Sequence, residues 1–538
     1  MNSKEIRKAF IDFFKDKDHK LIRSSPVVPI DDPTLLFTNA GMNQFKSIFL
    51  DQKISEFPRA VNSQKCIRVS GKHNDLEEVG IDTFHHTFFE MLGNWSFGDY
   101  YKAEAINWAW ELFTEVWGLD KNRLWVTVYH EDNEAFDLWP KVTDISPDRV
   151  LKFDKKDNFW EMGETGPCGP CSEIHYFIGD DIKSQSPDKV NSSDQYWELW
   201  NLVFIQHNRL SSGKLEDLSA MHVDTGAGFE RIVSVMQGKL SNYSTDLFLP
   251  IIGKIESITG KSFNDDPVPF QVISDHIRML SFAIADGALP SNDGRGYVLR
   301  RILRRAARFG RSLDMNQPFI FNLVGTVEKI MGDTFPEIVD KKSHIEKIIK
   351  AEETSFNDTL DRGLSHFNKV ISNMSGKTIP GSDAFKLYDT FGFPLDLTHL
   401  MAREKGLSID EDGFKKEMDQ QKKRAKSAEK FNTNVSEVSW NELKNIEDSK
   451  FKGYEAISLS AEIVKYASTD DSYLVVLDQT PFYAESGGQI GDTGTIKGSG
   501  VDLIVQDVQL DGECYVHHCT GTIGKDISTV ECQVDAEK

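Results

Sequence analysis

Val223-Asp-Thr-Gly-Ala-Gly-Phe-Glu-Arg231 is the stretch on which the reading of this 538-residue chain turns. Its two glycines mark a strand passing into a helix, and Ile232, Val233, Val235 and Met236 continue as the apolar face of that helix. A glycine lets a ligand come close to the backbone, and Arg231, one turn into the helix, is placed to meet an anion. Glycines that only tighten a strand-to-helix turn would look the same, so the stretch alone leaves both readings open.

Upstream, residues 3–17 read as an amphipathic helix with Ile6, Phe10, Phe13 and Phe14 on one side, stopped by Asp16-Lys-Asp-His19. Short strands are expected at Leu35–Phe37, Cys66–Val69, His86–Met91, Leu124–Tyr129 and Glu198–Gln206. All but one of the 10 tryptophans precede residue 240, the exception being Trp440, which suggests one large α/β or α+β domain there. Downstream, from about 243 to 430, the apolar spacing becomes helical, most plainly in Ile348, Ile349, Phe356, Leu360, Leu364, Phe367 and Ile371 within His344–Met374. Lys415–Lys430 is dense in charge and reads as a solvated helix face, with an RNA-facing patch as the alternative. After about 450, Tyr473–Leu477, Val501–Val508 and Thr529–Val534 alternate as strands between glycine turns. Only the beginning of that β domain is expected before Lys538, as in a truncated polypeptide.

The composition bounds the function classes. At about 100–200 residues per domain, the length suggests three or four domains. With 10 Trp, 13 Tyr and 35 Phe the chain has ample apolar surface for packed cores, which excludes a disordered acidic solubiliser. No apolar run approaches the ~20 residues needed to span a bilayer, and the N-terminus lacks a signal peptide's apolar core, so a cytoplasmic protein without a membrane partner is expected. Six cysteines, at 66, 168, 171, 514, 519 and 532, are too sparse for a disulfide framework.

A net charge of −22, from 62 Lys and Arg against 84 Asp and Glu, argues against a protein coated in basic charge but not against a local stripe. Arg295–Arg311 holds seven arginines and no acid, leaving −29 for the rest of the chain. Arg300, Arg301, Arg304, Arg305 and Arg308 recur at helical spacing, opposite Leu299, Ile302, Leu303, Ala306 and Ala307. Phosphate-backbone binding is the leading reading and salt bridging between domains the other.

Three motifs look like chemistry and are read as something else. Cys168-Gly-Pro-Cys171 has the spacing of a redox pair but not its strand-to-helix setting, and reads as rigid turns leading into a strand rather than a redox or zinc half-site. In Cys514-Tyr-Val-His-His-Cys519, His517 and Cys519 share one strand face while Cys514 and His518 share the other, so one metal site cannot use all four. Gly376-Lys-Thr378 imitates the end of a phosphate loop, but Ile371 stands where the first glycine is needed.

Over essentially its whole length the sequence resembles the alanine branch of the class II tRNA synthetases. Ser24-Ser-Pro through Asp32-Pro-Thr-Leu-Leu-Phe-Thr-Asn-Ala-Gly-Met42 is similar to the first class motif region. Cys66-Ile-Arg-Val-Ser-Gly-Lys-His-Asn-Asp75 through His85-His-Thr-Phe-Phe-Glu-Met-Leu-Gly-Asn94 is similar to the second, with Ser70 where the general class has an acid, and Val223–Arg231 is similar to the third. The fold this implies is α+β: an antiparallel sheet flanked by helices in a catalytic domain over 1–242, a helical tRNA-recognition domain over 243–452, and a partial β domain over 453–538. It also implies a ligase that forms alanyl-adenylate from L-alanine and ATP with Mg²⁺, then charges tRNA(Ala).

Residue by residue, the resemblance implies that Arg68 binds the ATP α-phosphate and the alanine carboxylate, that His86, Trp160, Gly226, Gly228 and Arg231 complete the ATP site, and that Arg231 holds the γ-phosphate end. Asp224 would receive the substrate ammonium, assisted by Asn201, while Met42, Trp160, Val203 and Gly226 wall a methyl-sized pocket. Arg68, Asp224 and Arg231 are the catalytic set. Asn292 and Asp389 would read the G·U pair of the acceptor stem, with Arg300, Arg301, Arg304, Arg305 and Arg308 on the tRNA backbone. A small apolar pocket discriminates poorly against glycine and serine, by only ~1–3 kcal/mol, so editing is needed. Thr480-Pro-Phe-Tyr-Ala-Glu-Ser-Gly-Gly-Gln489 resembles the opening of the family's editing domain, whose zinc ligands are expected only in a longer chain. No metal ligand is expected in this chain, and a monomer is expected because the family's association segment lies C-terminal to it. A non-catalytic RNA-binding protein and a free-standing editing hydrolase are the competing readings.

Overall fold

The computed structural model describes the chain apart from residues 30–34, 71–72, 164, 375, 433–439, 445–448, 454–455, 469–471, 485–490, 512–513, 525–526, 528 and 536–538. Parts of the first and second class-motif stretches and of Thr480–Gln489 therefore lie outside the described residues. Contacts divide the chain into two compact units, Met1–Phe414 and Lys415–Lys538.

Helix α1 (Ser3–Lys15) is set by its first turn. Asn2 Oδ1 accepts from the Glu5 amide and the Glu5 carboxylate accepts from the Asn2 amide, both at 2.9 Å. Ile6, Phe10 and Phe14 are buried, and Phe10 and Phe14 meet Trp200 at ring separations of 5.7 and 6.2 Å. From the same face Arg7 gives Glu90 two hydrogen bonds of 2.7 and 2.6 Å, fixing the helix to the sheet.

Among the described residues of the first unit, nine strands form the main sheet. They are β1 (Lys20–Leu21), β2 (Arg59–Ile67), β3 (Phe88–Phe97), β4 (Leu124–Tyr129), β5 (Val150–Phe153), β6 (Phe159–Glu161), β7 (Gly166–Phe177), β8 (Tyr196–Arg209) and β9 (Leu215–Gly228). Their order is β1-β2-β3-β9-β8-β7-β4-β5, with β6 on β7. The pairs β1–β2 and β4–β5 are parallel, and all others are antiparallel. Four of the five expected strands are present, β4 with the expected bounds and the others longer or shifted by a few residues. Leu35–Phe37 is not a strand: Arg295 takes the Leu36 and Leu35 carbonyls at 2.6 and 3.0 Å, so those acceptors serve a side chain rather than a neighbouring strand.

Cys168-Gly-Pro-Cys171 lies within β7 itself, not in turns ahead of it. The β7–β8 register shifts between Cys171/Val203 and Cys168/His207, which is where a sheet tolerates proline. At that irregularity β8 passes so close that a Cβ on Gly169 would fall inside the Phe204 carbonyl oxygen.

Helix α2 (Phe229–Met236) follows β9 directly, as the glycine pattern requires. The helical part then runs through α3 (Pro267–Ala285), α4 (Gly294–Ser312), α5 (Lys342–Asn373), α6 (Gly381–Phe391) and α7 (Leu395–Glu404). Helix α3 is buried along most of its length because the sheet covers one side and other helices the rest. Phe282 stacks on Phe88 at 4.6 Å, Arg278 pairs with Glu230 at the start of α2, and Lys65 of β2 meets Asp286 at 2.8 Å and also Glu337. Sheet and helices thus share one unit, cross-linked by buried ion pairs.

In the second unit, β10 (Ser458–Ser468), β11 (Tyr473–Leu477), β12 (Gly494–Gly498), β13 (Val501–Asp511), β14 (Cys514–Ile523) and β15 (Thr529–Val534) pair in the order β10-β11-β14-β13-β12-β15. β15 pairs back onto β10, closing the sheet around Val475, Leu477, Ile496, Leu503, Val505 and Val530. His517 faces this core with both ring nitrogens engaged, by the Val475 carbonyl at 3.0 Å and Thr480 Oγ1 at 2.8 Å. Burial holds its protonation down to about 4, so it is a satisfied core histidine. The charge-dense Lys415–Lys430 lies on a helix over Glu411–Asn432.

Candidate active site

The register of four adjacent strands builds the site. Trp95 of β3 pairs with Asp224 of β9, Asp224 with Val203 of β8, and Val203 with Cys171 of β7. The next rung on the same face aligns Gly226, Asn201 and Glu173, two residues along each strand, so their side chains project to the same side. Gly226 keeps the floor open: a Cβ there would lie 2.8 Å from Met91 Sδ.

A cavity of about 310 Å³ opens over this face, within the usual size of a small-molecule site. Its lining includes Arg68, His86, Trp160, Asn201, Val203, Asp224, Gly226, Gly228 and Arg231. Met42 is not among the lining residues. It is fully buried one layer behind, in a cluster with Trp95 and Val203 that supports the apolar floor, and Met91 takes the place expected for it.

Each cation is aimed by backbone carbonyls and aromatic faces. Arg68 leaves the end of β2 with its amide donating to the Thr87 carbonyl at 3.0 Å; its Nε donates to the Asn39 carbonyl at 3.1 Å and its guanidinium lies 5.0 Å from the Phe89 ring. Arg231, in the first turn of α2, donates to the Glu198 carbonyl at 3.0 Å and sits 4.9 Å from the Phe84 ring. Both keep donors beyond those contacts, as binding an extended anion requires.

His86 lines the cavity with both ring nitrogens committed. Nδ1 donates to Asp275 at 3.2 Å, Nε2 accepts from Asn242 Nδ2 at 2.9 Å, and the ring stacks on Phe248 at 4.8 Å. It is a wall of the site rather than a hydrogen-bonding ligand. Burial alone would raise the Asp275 carboxyl, but His276 and His86 hold it well below the usual carboxylate range.

The floor carries three perturbed acids. Burial pushes Asp224 up to about 7, against a 2.6 Å hydrogen bond from Trp95 Nε1 to its Oδ1. Burial pushes Glu173 up to about 8, opposed by Thr127, and raises Glu198, which also feels Glu173. An acid desolvated to this degree gains most from a cation delivered by a ligand. The neighbouring Cys171 and Cys168 thiols are raised by burial, Cys168 to about 11, so they stay protonated, the opposite of a redox pair. Among the described residues no group of three or more His, Cys, Asp or Glu is arranged to hold a metal ion, and no helix is long and apolar enough to cross a membrane.

Sequence reasoning missed Glu173, Glu198, Met91, Phe84 and Phe89. The two glutamates could have been found only by aligning β7 with β8, whereas the phenylalanines stand beside His85 and in the strand after it, where cation-facing aromatics are a legible signal.

The basic helix differs from its expected form. Arg305 is buried, its guanidinium donating to the Leu76 and Val79 carbonyls at 3.0 and 2.7 Å and lying 3.2 Å from His276 Nε2, so it is not offered to a phosphate. Arg301 donates to the Val69 carbonyl at 2.6 Å. Arg300 and Arg304 bracket Glu352 of α5 at 3.1 and 3.0 Å, Arg300 also meeting Asn292 and Arg304 the Gly392 carbonyl. Arg308 lies 4.3 Å from the ring of Phe309. Asn292 and Asp389, both exposed, flank this network, one just before α4 and the other on α6.

A family model described as tRNA synthetases class II (A) matches residues 5–538. The chain is 55% identical over 531 residues to the alanine-tRNA ligase of Chlorobium phaeobacteroides, covering 97% of this chain and 60% of that protein. It is 54% identical over 536 residues to that of Chlorobaculum tepidum, covering 98% and 60%, and 47% identical over 529 residues to that of Nitrosococcus oceani, covering 96% and 60%. It spans about 60% of the length of these relatives. With the class fold, the three motif regions and a cavity that gathers two arginines against buried acids, the chain belongs to the class II (A) tRNA synthetases.

Proposed function

We propose that this chain activates L-alanine with ATP and transfers the alanyl group to the 3′-terminal ribose of tRNA(Ala). The observation that carries the reading is the pair of adjacent rungs placing Asp224, Asn201 and Val203 on one floor of a cavity whose lining includes Arg68 and Arg231. A zwitterion with a small side chain fits such a floor: Asp224 and Asn201 meet the ammonium, Val203 the methyl, and Arg68 the carboxylate. The names of the relatives support alanine as the amino acid.

The chemistry needs no covalent enzyme intermediate. A carboxylate oxygen of alanine attacks the ATP α-phosphorus, the bond to the bridging oxygen breaks, and pyrophosphate leaves. The ribose hydroxyl of tRNA then attacks the alanyl carbonyl and AMP departs. Arg68, a planar fork, neutralises charge on the α-phosphate and the carboxylate together, and Arg231 holds the far phosphates, so catalysis is positioning plus charge stabilisation. Mg²⁺ bound to the ATP phosphates would supply further neutralisation; among the described residues no group of acids forms a metal cage of its own, and Asp75, Asp157 and Glu198 of the cavity lining are the oxygen donors that would face such an ion.

The division into a catalytic part over 1–242, a recognition part over 243–452 and the start of an editing region over 453–538 belongs to the same proposal, as do the reading of the G·U pair by Asn292 and Asp389 and zinc-dependent editing in a longer chain. Arg300, Arg301, Arg304 and Arg308 remain the proposed backbone contacts. Arg68→Ala is expected to abolish alanine-dependent pyrophosphate exchange with the fold intact by circular dichroism; near-normal exchange refutes the assignment. A protein that only binds RNA would show no exchange even unmodified.

A further inference from the structure

One rung of the sheet joins Thr127, Glu173, Asn201 and Gly226 across β4, β7, β8 and β9. Along it runs a chain of side-chain hydrogen bonds. Asn158 Nδ2 donates to Thr127 Oγ1 at 2.9 Å, Thr127 Oγ1 donates to Glu173 Oε2 at 3.3 Å, and His175 Nε2 lies 3.2 Å from the same oxygen. With Oε2 occupied, Glu173 turns Oε1 to Asn201, whose Nδ2 donates to it at 3.1 Å. An amide has one donor end and one acceptor end, so an acceptor fixed against the donor end decides which way the group points. The other end, Asn201 Oδ1, is buried without a hydrogen-bond partner among the described residues. Buried acceptors are seldom left so in folded proteins, and one beside a ligand cavity calls for a donor on the ligand.

On the adjacent rung Asp224 Oδ1 accepts from Trp95 Nε1, leaving its second oxygen for a ligand. We propose that Glu173 is a positioning residue of the amino-acid site: it holds the Asn201 amide with its oxygen toward the substrate ammonium, so that this oxygen and the Asp224 carboxylate receive it together. Were the amide reversed, its NH₂ would face the ammonium, donor against donor. Glu173 thus sets affinity for the α-amino group without touching it, an inference that rests on the cavity's substrate being alanine.

The test is steady-state pyrophosphate exchange with alanine and ATP varied separately. Glu173→Met removes the acceptor at similar size, and is expected to raise the alanine KM roughly ten- to hundredfold, the size of a lost hydrogen bond to a charged group, with the ATP KM and kcat changed less than about threefold. Glu173→Gln keeps an acceptor oxygen for Asn201 and is expected to recover most of the loss. If the glutamine variant is as impaired as the methionine one, the charge of Glu173 meets the ammonium directly and the inference falls. It also falls if both KM values and kcat worsen together, or if the alanine KM does not move. Should Glu173→Met not fold, Asn201→Asp tests the same contact from the other side. It sets two carboxyl groups face to face and should raise the alanine KM, and adding Glu173→Gln, whose amide can donate to the introduced carboxylate, should restore it; no restoration overturns the inference. Absence of alanine-dependent exchange in the unmodified protein overturns the alanine reading itself.

Discussion

Asp224 holds a charge in a place that penalises charge, and Asp224→Asn should expose that cost as a gain in stability. Burial raises this carboxyl from its ordinary 3.8 to about 7. The sign follows from linkage: an acid whose pKa is raised by folding is protonated in both states at low pH, where it costs nothing, and destabilises the fold increasingly as pH rises through the window from 3.8 to about 7. At 1.36 kcal/mol per unit, burying this carboxyl costs about 4 kcal/mol at pH 8, where it is ionised, about 3 at pH 6, where folding makes it take up a proton, and under about 1 at pH 4. The asparagine variant keeps an acceptor for Trp95 Nε1, so it removes the charge and preserves the shape. Urea unfolding followed by tryptophan fluorescence is a suitable assay, because nine of the 10 tryptophans precede residue 240 and report on the first unit. The variant should be more stable than the unmodified protein by up to about 4 kcal/mol at pH 8, should lose most of that gain by pH 4, and should no longer support alanine-dependent exchange. Equal stability at pH 8, or a gain that does not shrink on acidification, would refute the claim that a desolvated carboxylate is kept here for the ammonium.

Arg68→Lys should lower exchange by about a hundredfold while leaving the melting temperature unchanged, because a point charge cannot fork between two anions; exchange within a few-fold of normal counts against bidentate binding. Arg305→Met should destabilise the protein by about 2–4 kcal/mol in thermal melts, through orphaned carbonyls at Leu76 and Val79, and leave the salt dependence of tRNA binding unchanged. A fall of about one in the log–log salt slope would return Arg305 to the phosphate contacts. Gly169→Ala should cost about 1–3 kcal/mol or more by forcing β8 away from β7, read as a lower melting temperature and weaker alanine binding.

Much of the fold was legible because periodicity is local. The β-branched and aromatic run Leu124–Tyr129 and the strand pattern of Tyr473–Leu477 mark strands with the right bounds, and the glycines before Phe229 mark where β9 becomes α2. Register is not local. That Glu173, Asn201 and Gly226 fall on one rung depends on how strands separated by loops of different length align, and no window of sequence carries that information. The resemblance supplied Asn201 and Asp224 but not the groups that hold them, Glu173 and Trp95. It placed Met42 on the cavity wall because sequence does not distinguish a lining side chain from the one behind it. Leu35–Phe37 had the composition of a strand but lost its carbonyls to Arg295, an arginine some 260 residues away.

The basic helix shows the same limit with more consequence. A helix with seven arginines and no acid must find its counter-charges elsewhere, since like charges at i and i+4 repel. One answer was a nucleic acid, and for part of the helix it remains the proposal. The partners in hand are internal: Glu352 and Asp361 from α5, and the carbonyls of Val69, Leu76, Val79 and Gly392. Three of those carbonyls lie in the segment joining β2 to β3, where Arg68 and His86 also lie, and Arg305 continues through His276 and Asp275 to His86. Arginine suits this work because it offers five donors on one rigid plane, enough to span a backbone carbonyl and a side chain at once. Absence of acid from α4 therefore records an inward face that spends its donors tying the helical part to the segment joining β2 to β3, while the nucleic-acid contacts of its other arginines stay part of the proposed function.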